Sequence, residues 1–356
     1  MANKFLTKLR ALEGAVNPEA EHPGVLQTPS PSVNWALKND AYGVKNHGLP
    51  FGAGMLLYGP PKGGKSIITN ALVGQLHRQD PEAIAIKFNT EMRGAMQDNS
   101  AQHKMWGIDP DRFVVFDANA PENIFDRIET DIGAMVQEGA KIKLIIIDSL
   151  TGISGRRTQN ATTILTQQIG DHAATIKDGL GRIMTTIRKH GIALICTSHI
   201  RAELDQLEQM RGNTVKMQGA WATKHFFEFF CYVEPNRSKT GKTTLAGEDF
   251  TDSEVVDFMD KAQKTGHKIR FTLKESSLGP SGRTAEFTLD YEKGIVNTYE
   301  EIFTLAVNMG ILTRPNNQTY EYKDLKWRGL VNCLSAIRDS DTLQQQLLLE
   351  VFKKDC

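Results

Sequence analysis

Apolar residues along this chain fall into two kinds of run. Between about residue 50 and residue 200, short blocks that are apolar at nearly every position alternate with longer stretches in which apolar residues recur every three or four positions. The short blocks are Met55–Tyr58, Ile84–Phe88, Phe113–Phe116, Leu144–Ile147 and Ile192–Thr197. Near-continuous apolarity over so few residues predicts strands covered on both faces. Before the last block, Ile176, Leu180, Ile183 and Ile187 keep helical spacing. Alternation of this kind predicts an α/β fold, a mainly parallel sheet covered by helices.

The remainder of the chain is less regular. His225–Val233, Lys268–Leu273 and Ala285–Leu289 look like further strands, with a polar insertion at about 235–266 between two of them. The last 55 or so residues are mostly helical in pattern, with Tyr320, Tyr322 and Trp327 as anchors of a small terminal subdomain. At the other end Phe5, Leu6, Leu9 and Leu12 share one helical face. So short a helix needs something to pack on, either its own core or a neighbouring subunit. Pro-rich residues 18–32 read as a linker. The expected division is an oligomerisation arm and linker over 1–32, a core over 33–295 and the small subdomain over 296–356.

Composition narrows the class. With 356 residues, 40% of them hydrophobic and 24% charged, the chain can bury a sizeable core. Forty-two basic residues balance 42 acidic ones, so no bulk positive field announces a nucleic-acid binder, and any such contact must be local or built by assembly. Cys196, Cys231, Cys333 and Cys356 have no C-x-x-C spacing, and the first two lie in apolar runs. Buried free thiols in a reducing cytosol are expected. No apolar run reaches the roughly 18 residues of a membrane span, and the start MANKFLTKLRAL lacks a long apolar segment. A soluble cytoplasmic protein with no membrane partner is expected.

The chemistry is concentrated at three places. Gly59-Pro60-Pro61-Lys62-Gly63-Gly64-Lys65-Ser66 satisfies G-x-x-x-x-G-K-[ST], directly after one apolar block and before the helical pattern from Ile67 to Leu76. That context is what a P-loop requires: glycines let backbone N–H groups converge on phosphate oxygens, Lys65 supplies a point charge, and the Ser66 hydroxyl can ligate Mg²⁺. Asp148 ends the Leu144–Ile147 block, where the carboxyl ends of parallel strands face a ligand crevice, and would emerge beside a metal held by Ser66. Glu91 lies just past the strand that follows the P-loop helix. It is either a carboxylate that orients attacking water or an ordinary acid favoured at a helix start.

At this point the ordered set resembles RecA-type recombinases. The residues that carry it are Gly48-Leu49-Pro50-x-Gly52, the P-loop, Glu91, Leu144–Ser149, Ile169-Gly170-Asp171-His172 and Thr197-Ser198-His199-Ile200-Arg201, followed by Gly219, Lys274, Ala285-Glu286-Phe287 and Gly294-Ile295. The match runs from about residue 24 to about residue 312, and the histidine at 199 is most similar to the phage UvsX type. The resemblance implies a RecA-like P-loop NTPase core that uses ATP and Mg²⁺. The implied activity is that of a DNA-dependent ATPase which forms a helical filament on single-stranded DNA, pairs it with homologous duplex and exchanges strands in recombination and repair. It also implies partners: further copies of itself, single- and double-stranded DNA, a loading mediator and a single-strand-binding protein.

Carried over by residue, the resemblance implies nucleotide contacts from Gly59 through Ser66 and from Ile67, metal contacts from Ser66 and Asp148, and catalytic roles for Lys65 and Glu91. It implies that His199 senses the γ-phosphate; read from the residues alone, a capping histidine with a satisfied ring fits as well. It assigns Lys274 to the ATP of an adjacent subunit. Two loops would carry DNA, about 156–168 and about 200–217, through Arg156, Arg157, Arg201, Arg211 and Lys216. The second is formally neutral, since Glu203, Asp205 and Glu208 offset its cations, and a plain solvated loop would look much the same. Loops of this length in a compact domain are usually functional or disordered. Neutrality predicts weak binding by one subunit, because each neutralised phosphate contributes only about 0.9 to the salt slope, so affinity must come from many linked subunits.

The pattern departs from the family in places. A second basic residue two positions after Lys274 is replaced by Ser276, with Arg283 as the candidate substitute. The 235–266 insertion, with Lys239, Lys242, Lys261 and Lys264, has no counterpart, and the chain stops at Lys353-Lys354-Asp355-Cys356 without an acidic tail. Two alternatives stay open. A ring helicase of the same fold is suggested by Thr90-Glu91-Met92, although only 58 residues precede Gly59. A mediator that binds ATP without hydrolysing it is disfavoured by the presence together of Lys65, Ser66, Glu91 and Asp148.

Overall fold

The computed structural model describes residues 23–61, 63–92, 100–155, 171–202, 215–217, 221–236, 242–244 and 264–355. The chain enters through β1 (Val25–Leu26), α1 (Pro31–Ala36), β2 (Lys38–Asn39), β3 (Asn46–His47) and β4 (Leu49–Pro50). The core then runs β5 (Gly54–Gly59), α2 (Lys65–Gln79), β6 (Ile84–Asn89), α3 (Ser100–Met105), β7 (Phe113–Asp117), α4 (Gly133–Gln137), β8 (Ile142–Asp148), α5 (Asp171–Lys189), β9 (Ala193–Ala202) and β10 (Val215–Met217). After these come β11 (Phe229–Pro235), β12 (Lys242–Thr244), β13 (Lys264–Ser276), β14 (Thr284–Asp290) and β15 (Gly294–Val296). All five apolar blocks of the core are strands.

One sheet organises the molecule, in the order β15-β14-β13-β11-β5-β9-β8-β6-β7. The six strands from β11 to β7 are parallel, and β13, β14 and β15 add an antiparallel wing. The continuous apolarity of the central strands follows from their having two buried faces. Leu144 and Ile146 of β8 join the core under α2, whereas Ile145 and Ile147 join the core under α5, because successive side chains point to opposite faces. Met55 and Leu57 part from Leu56 in the same way, and Ile195 from Leu194 and Cys196. Helix α5 buries Ile176, Leu180, Ile183 and Ile187, as its spacing predicts.

Three sequence expectations change. β7 is the edge strand of the sheet, and Val114 and Val115 are exposed, so its apolar run does not mean burial on both faces. The strand expected at His225–Val233 begins instead at Phe229, after a 3₁₀ turn over Trp221–Phe226. There β11 meets β5, with Phe229 opposite Met55, and the Glu228 carboxylate accepts the Gly54 N–H at 2.7 Å. The terminal region does contain α6 (Thr298–Asn308), but a three-stranded meander of β16 (Thr313–Asn316), β17 (Thr319–Tyr322) and β18 (Leu325–Arg328) precedes α7 (Leu330–Arg338) and α8 (Asp341–Asp355). Its strands are four residues each and mostly exposed, so no apolar block marks them. Tyr320 and Tyr322 are buried in a third core with Ile302, Leu305, Ile337 and Leu347, and Trp327 packs against it. Of the 235–266 insertion, β12 pairs antiparallel with β13, whereas Lys239 and Lys261 lie outside the described residues.

Two buried acids tie the ends to the core. Asp355 on α8 accepts both guanidinium arms of Arg283 at 2.8 and 3.0 Å and faces His47 Nε2 at 3.0 Å, while the Arg283 guanidinium lies 4.4 Å from the centre of the Trp35 ring. Glu301 on α6 is 5% exposed and accepts from the Ser30 hydroxyl and the Ser32 N–H, at the N-terminus of α1. Burial pushes the Glu301 pKa up to about 7, against the downward pull of those hydrogen bonds.

The folded chain therefore keeps on Glu301 a proton that the unfolded chain releases near 4.5. Stability from this group is fully present below about pH 4.5 and is lost as pH rises through about 7. Glu301→Gln, which cannot ionise, should flatten the fall in stability across that window by about 3 kcal/mol. Urea unfolding of both proteins at pH 5 and pH 8 checks this; parallel losses in the two proteins would contradict it.

Candidate active site

Four parallel strands end on one edge of the sheet. Their register sets Gly59 of β5 opposite His199 of β9 and Asp148 of β8 opposite Asn89 of β6, with β8 and β9 themselves paired. Carboxyl ends of parallel strands are where an open α/β sheet binds ligands. The P-loop turns out of β5 at this edge. Gly59 has no room for a side chain, since a Cβ would lie 1.9 Å from the Val233 carbonyl oxygen. Gly64 caps α2 with φ +87°, a left-handed conformation that suits glycine. The first free N–H groups of the fifteen-residue α2 follow at Lys65, and with the helix dipole they form an anion site.

Lys65 is 6% exposed, and its ammonium donates to the carbonyls of Gly59 at 3.0 Å and Pro60 at 2.8 Å. Burial lowers its pKa, opposed by the nearby charges of Asp148 and Glu91. Ser66 is exposed and hydrogen-bonds to Asp148. Pro61 is exposed, Pro60 partly so, Gly63 is buried, and Ile67 packs on the core under α2. Lys62 lies outside the described residues.

Asp148 is 9% exposed. Its even position in β8 turns it toward the α2 face, with Leu144 and Ile146. Oδ1 accepts the Thr197 hydroxyl at 2.6 Å, and Oδ2 meets the Lys87 ammonium at 2.9 Å. Burial alone would raise its pKa, but Lys87, Thr197 and Ser66 together outweigh burial and hold it below the usual carboxylate range. It is therefore a charged acid at neutral pH. The Ser66 hydroxyl and the Asp148 carboxylate are hard oxygen donors suited to Mg²⁺, which is commonly held by one or two carboxylates plus substrate phosphates. Among the described residues no group of three or more His, Cys, Asp or Glu could hold a metal. Two oxygen donors, one of them a carboxylate, fit a cation that arrives with a nucleotide.

Glu91 follows β6 and faces the same edge. Its Oε1 accepts the Ser149 hydroxyl at 2.9 Å and lies 2.6 Å from His199 Nε2. An ionised carboxylate only accepts, so Nε2 carries the proton. Among the described residues His199 Nδ1 is buried without a hydrogen-bond partner. Thr90 joins these parts from beneath: its hydroxyl donates to the Ser149 carbonyl at 2.6 Å and accepts the Ser149 N–H at 2.8 Å, while its own N–H bonds to the Asp148 carbonyl at 2.9 Å.

The structure brings Lys65, Ser66, Asp148, Glu91 and His199 together. Arg201 is exposed two residues beyond His199, and Lys216 of β10 stands opposite it in the register. Arg156, Arg157 and Arg211 lie outside the described residues. Lys274 is exposed on β13, two strands from β5, with its ammonium 5.7 Å from the centre of the Tyr232 ring. It occupies a bulge, since Phe230 pairs with Glu275 and Cys231 with Leu273. Arg283, the candidate substitute, is instead committed to Asp355 and Trp35. Lys87, Thr90, Ser149 and Thr197 are site residues that sequence reasoning missed. Ser149 and Thr197 lay in runs that carried the resemblance and Thr90 in the run suggesting a helicase, whereas Lys87 carried a signal of its own, a lone charge inside the apolar block Ile84–Phe88.

A family model described as the RecA N-terminal domain matches residues 25–296. The chain is 22% identical over 332 residues to protein RecA of Oleidesulfovibrio alaskensis, spanning 92% of this chain and 84% of that one. It is 22% identical over 308 residues to protein RecA of Gloeobacter violaceus, covering 86% and 74%. Against protein RecA of Chlorobium limicola it is 20% identical over 339 residues, covering 95% and 86%.

The clamp beneath Glu91 has a measurable cost of removal. Thr90→Val keeps the shape but leaves the buried Ser149 N–H and carbonyl without the hydroxyl, and should destabilise the fold by about 1–3 kcal/mol. Denaturant titration measures it, and a change below about 0.5 kcal/mol would show that the Ser149 turn holds itself.

Proposed function

The chain belongs to the RecA family, whose members are recombinases of DNA recombination and repair, and on that premise we propose that it hydrolyses ATP in a filament on single-stranded DNA and exchanges strands with homologous duplex. The P-loop amides and Lys65 take the nucleotide phosphates, and Ser66 and Asp148 hold the Mg²⁺ that offsets phosphate charge. Glu91 orients and deprotonates the attacking water. Lys274 acts on the ATP of an adjacent subunit, supported by its exposed place on β13. The DNA contacts are Arg156, Arg157, Arg201, Arg211 and Lys216. Residues 1–32 comprise the oligomerisation arm and its linker, and a loading mediator and a single-strand-binding protein assist assembly. The work is done in the cytoplasm; no helix among the described residues is long and apolar enough to cross a membrane.

One observation carries this reading. The Glu91–His199 pair, 2.6 Å apart, joins the turn after β6 to β9, the strand that continues from His199 through Ile200, Arg201 and Ala202 and pairs with β10. A phosphate arriving beside Glu91 offers His199 a competing partner. Any shift of His199 moves the root of the hairpin, a local contact biasing a two-state segment. DNA bound at the hairpin acts back on Glu91 by the same route, since coupling of binding equilibria is reciprocal.

ATP turnover with and without single-stranded DNA, alongside electron microscopy with an ATP analogue, tests the proposal. Expected are DNA-stimulated turnover and filaments; turnover indifferent to DNA together with isolated particles would instead indicate a nucleotide-binding mediator. Lys65→Ala should abolish nucleotide binding or turnover. Glu91→Gln should keep binding while turnover falls by about 10²–10⁴, and wild-type turnover would remove Glu91 from the reaction. Arg201→Ala should weaken DNA-stimulated turnover more than basal turnover and reduce the salt slope of DNA binding by about 1; equal effects on both rates would take the hairpin out of the DNA site.

A further inference from the structure

Lys87 stands in β6 between Ile86 and Phe88, both buried in the core under α5, and is itself only 7% exposed. Its odd position turns it to the other face, toward α2, where Nζ lies 2.9 Å from Asp148 Oδ2 and 3.1 Å from Asn70 Oδ1. An ammonium in such a place is costly unless paired, because burial strips its hydration at a cost of several kcal/mol. The pairing is specific. Asn70 supports the ammonium from α2, and Thr197 fills the other Asp148 oxygen from β9.

The consequence falls on the face of Asp148 that meets Ser66. A carboxylate without a partner presents a full negative charge to a cation bound there, whereas one with an ammonium at 2.9 Å presents a nearly cancelled pair. Resting on the reading of Asp148 and Ser66 as the metal side of the site, we infer that Lys87 is a positioning residue that fixes the Asp148 carboxylate and weakens its pull on the nucleotide's divalent cation. Lys87 stabilises the protein before nucleotide binds and opposes over-tight retention of the cation afterwards. The two roles have one origin, because Lys87 and the cation compete for the same negative charge.

The test uses the full chain at pH 8 and a non-hydrolysable fluorescent ATP analogue, with affinity measured in Mg²⁺ and in EDTA. The readout is the ratio of the two affinities. Lys87→Met should raise this ratio by about tenfold over the wild type, whereas Lys87→Arg, which keeps the charge, should stay within about twofold. Melting temperature gives a second readout: Mg²⁺ with the analogue should stabilise Lys87→Met more than it stabilises the wild type. A packing role alone would lower both melting temperatures equally and leave the ratio unchanged, and that result overturns the inference. Loss of the Mg²⁺ effect in the wild type would instead overturn the metal assignment itself, and this inference with it. Should Lys87→Met fail to fold, adding Asp148→Asn should restore folding by removing the stranded charge; no restoration also overturns the inference.

Discussion

A charge buried at the edge of an apolar sheet must be compensated, and Asp148 is the place where this protein meets that demand. The carboxylate is reached by Lys87 from β6, Thr197 from β9 and Ser66 from α2. Those three elements surround β8, so satisfying one acid fixes their relative positions at the end where the ligand binds. Burial works against the charged form, and Lys87, Thr197 and Ser66 together outweigh it and hold the Asp148 pKa below the usual carboxylate range. The site is therefore rigid because its electrostatics are expensive to leave incomplete.

A second chain of contacts lies one layer further out. Thr90 holds the Ser149 turn, Ser149 donates to Glu91, and Glu91 meets His199. Whereas Asp148, Lys87 and Thr197 are nearly closed to solvent, Glu91 and His199 are partly exposed. The inner cluster is suited to holding, and the outer one to changing partners. The outer chain ends on β9, whose last residues pair with β10, so a change in partners at the nucleotide edge has a short covalent path to the segment assigned to DNA.

The same logic of compensated charge secures the periphery. Asp355 gathers Arg283, His47 and Lys38, and Glu301 anchors the N-terminus of α1. Arg283 donates to the Asp355 carboxylate through both arms and to the Trp35 carbonyl, with its guanidinium over the Trp35 ring, so it ties β14's approach to α1 and α8 within its own chain.

Much of the architecture was legible before any coordinates. Strands covered on both faces must be apolar at every position, and a helix on one face must repeat near 3.6, so β5, β6, β8, β9 and α5 announced themselves. The P-loop was equally plain, since its glycines answer to backbone geometry at fixed spacing, and Asp148 and Glu91 were marked by their places at strand ends. Short polar strands leave no such mark, and the β16–β18 meander was missed for that reason. Edge or centre is likewise a matter of strand order, which hid the exposure of Val114 and Val115. By itself the sequence determined the α/β class, the phosphate-loop motif and the strand-end places of Asp148 and Glu91, because each is written in a pattern a few residues long. Only the tertiary structure decided that Lys87 neutralises Asp148, that Thr90 clamps Ser149 and that His199 holds Glu91, because those partners are 59 to 108 residues apart and meet through the order in which the sheet arranges its strands.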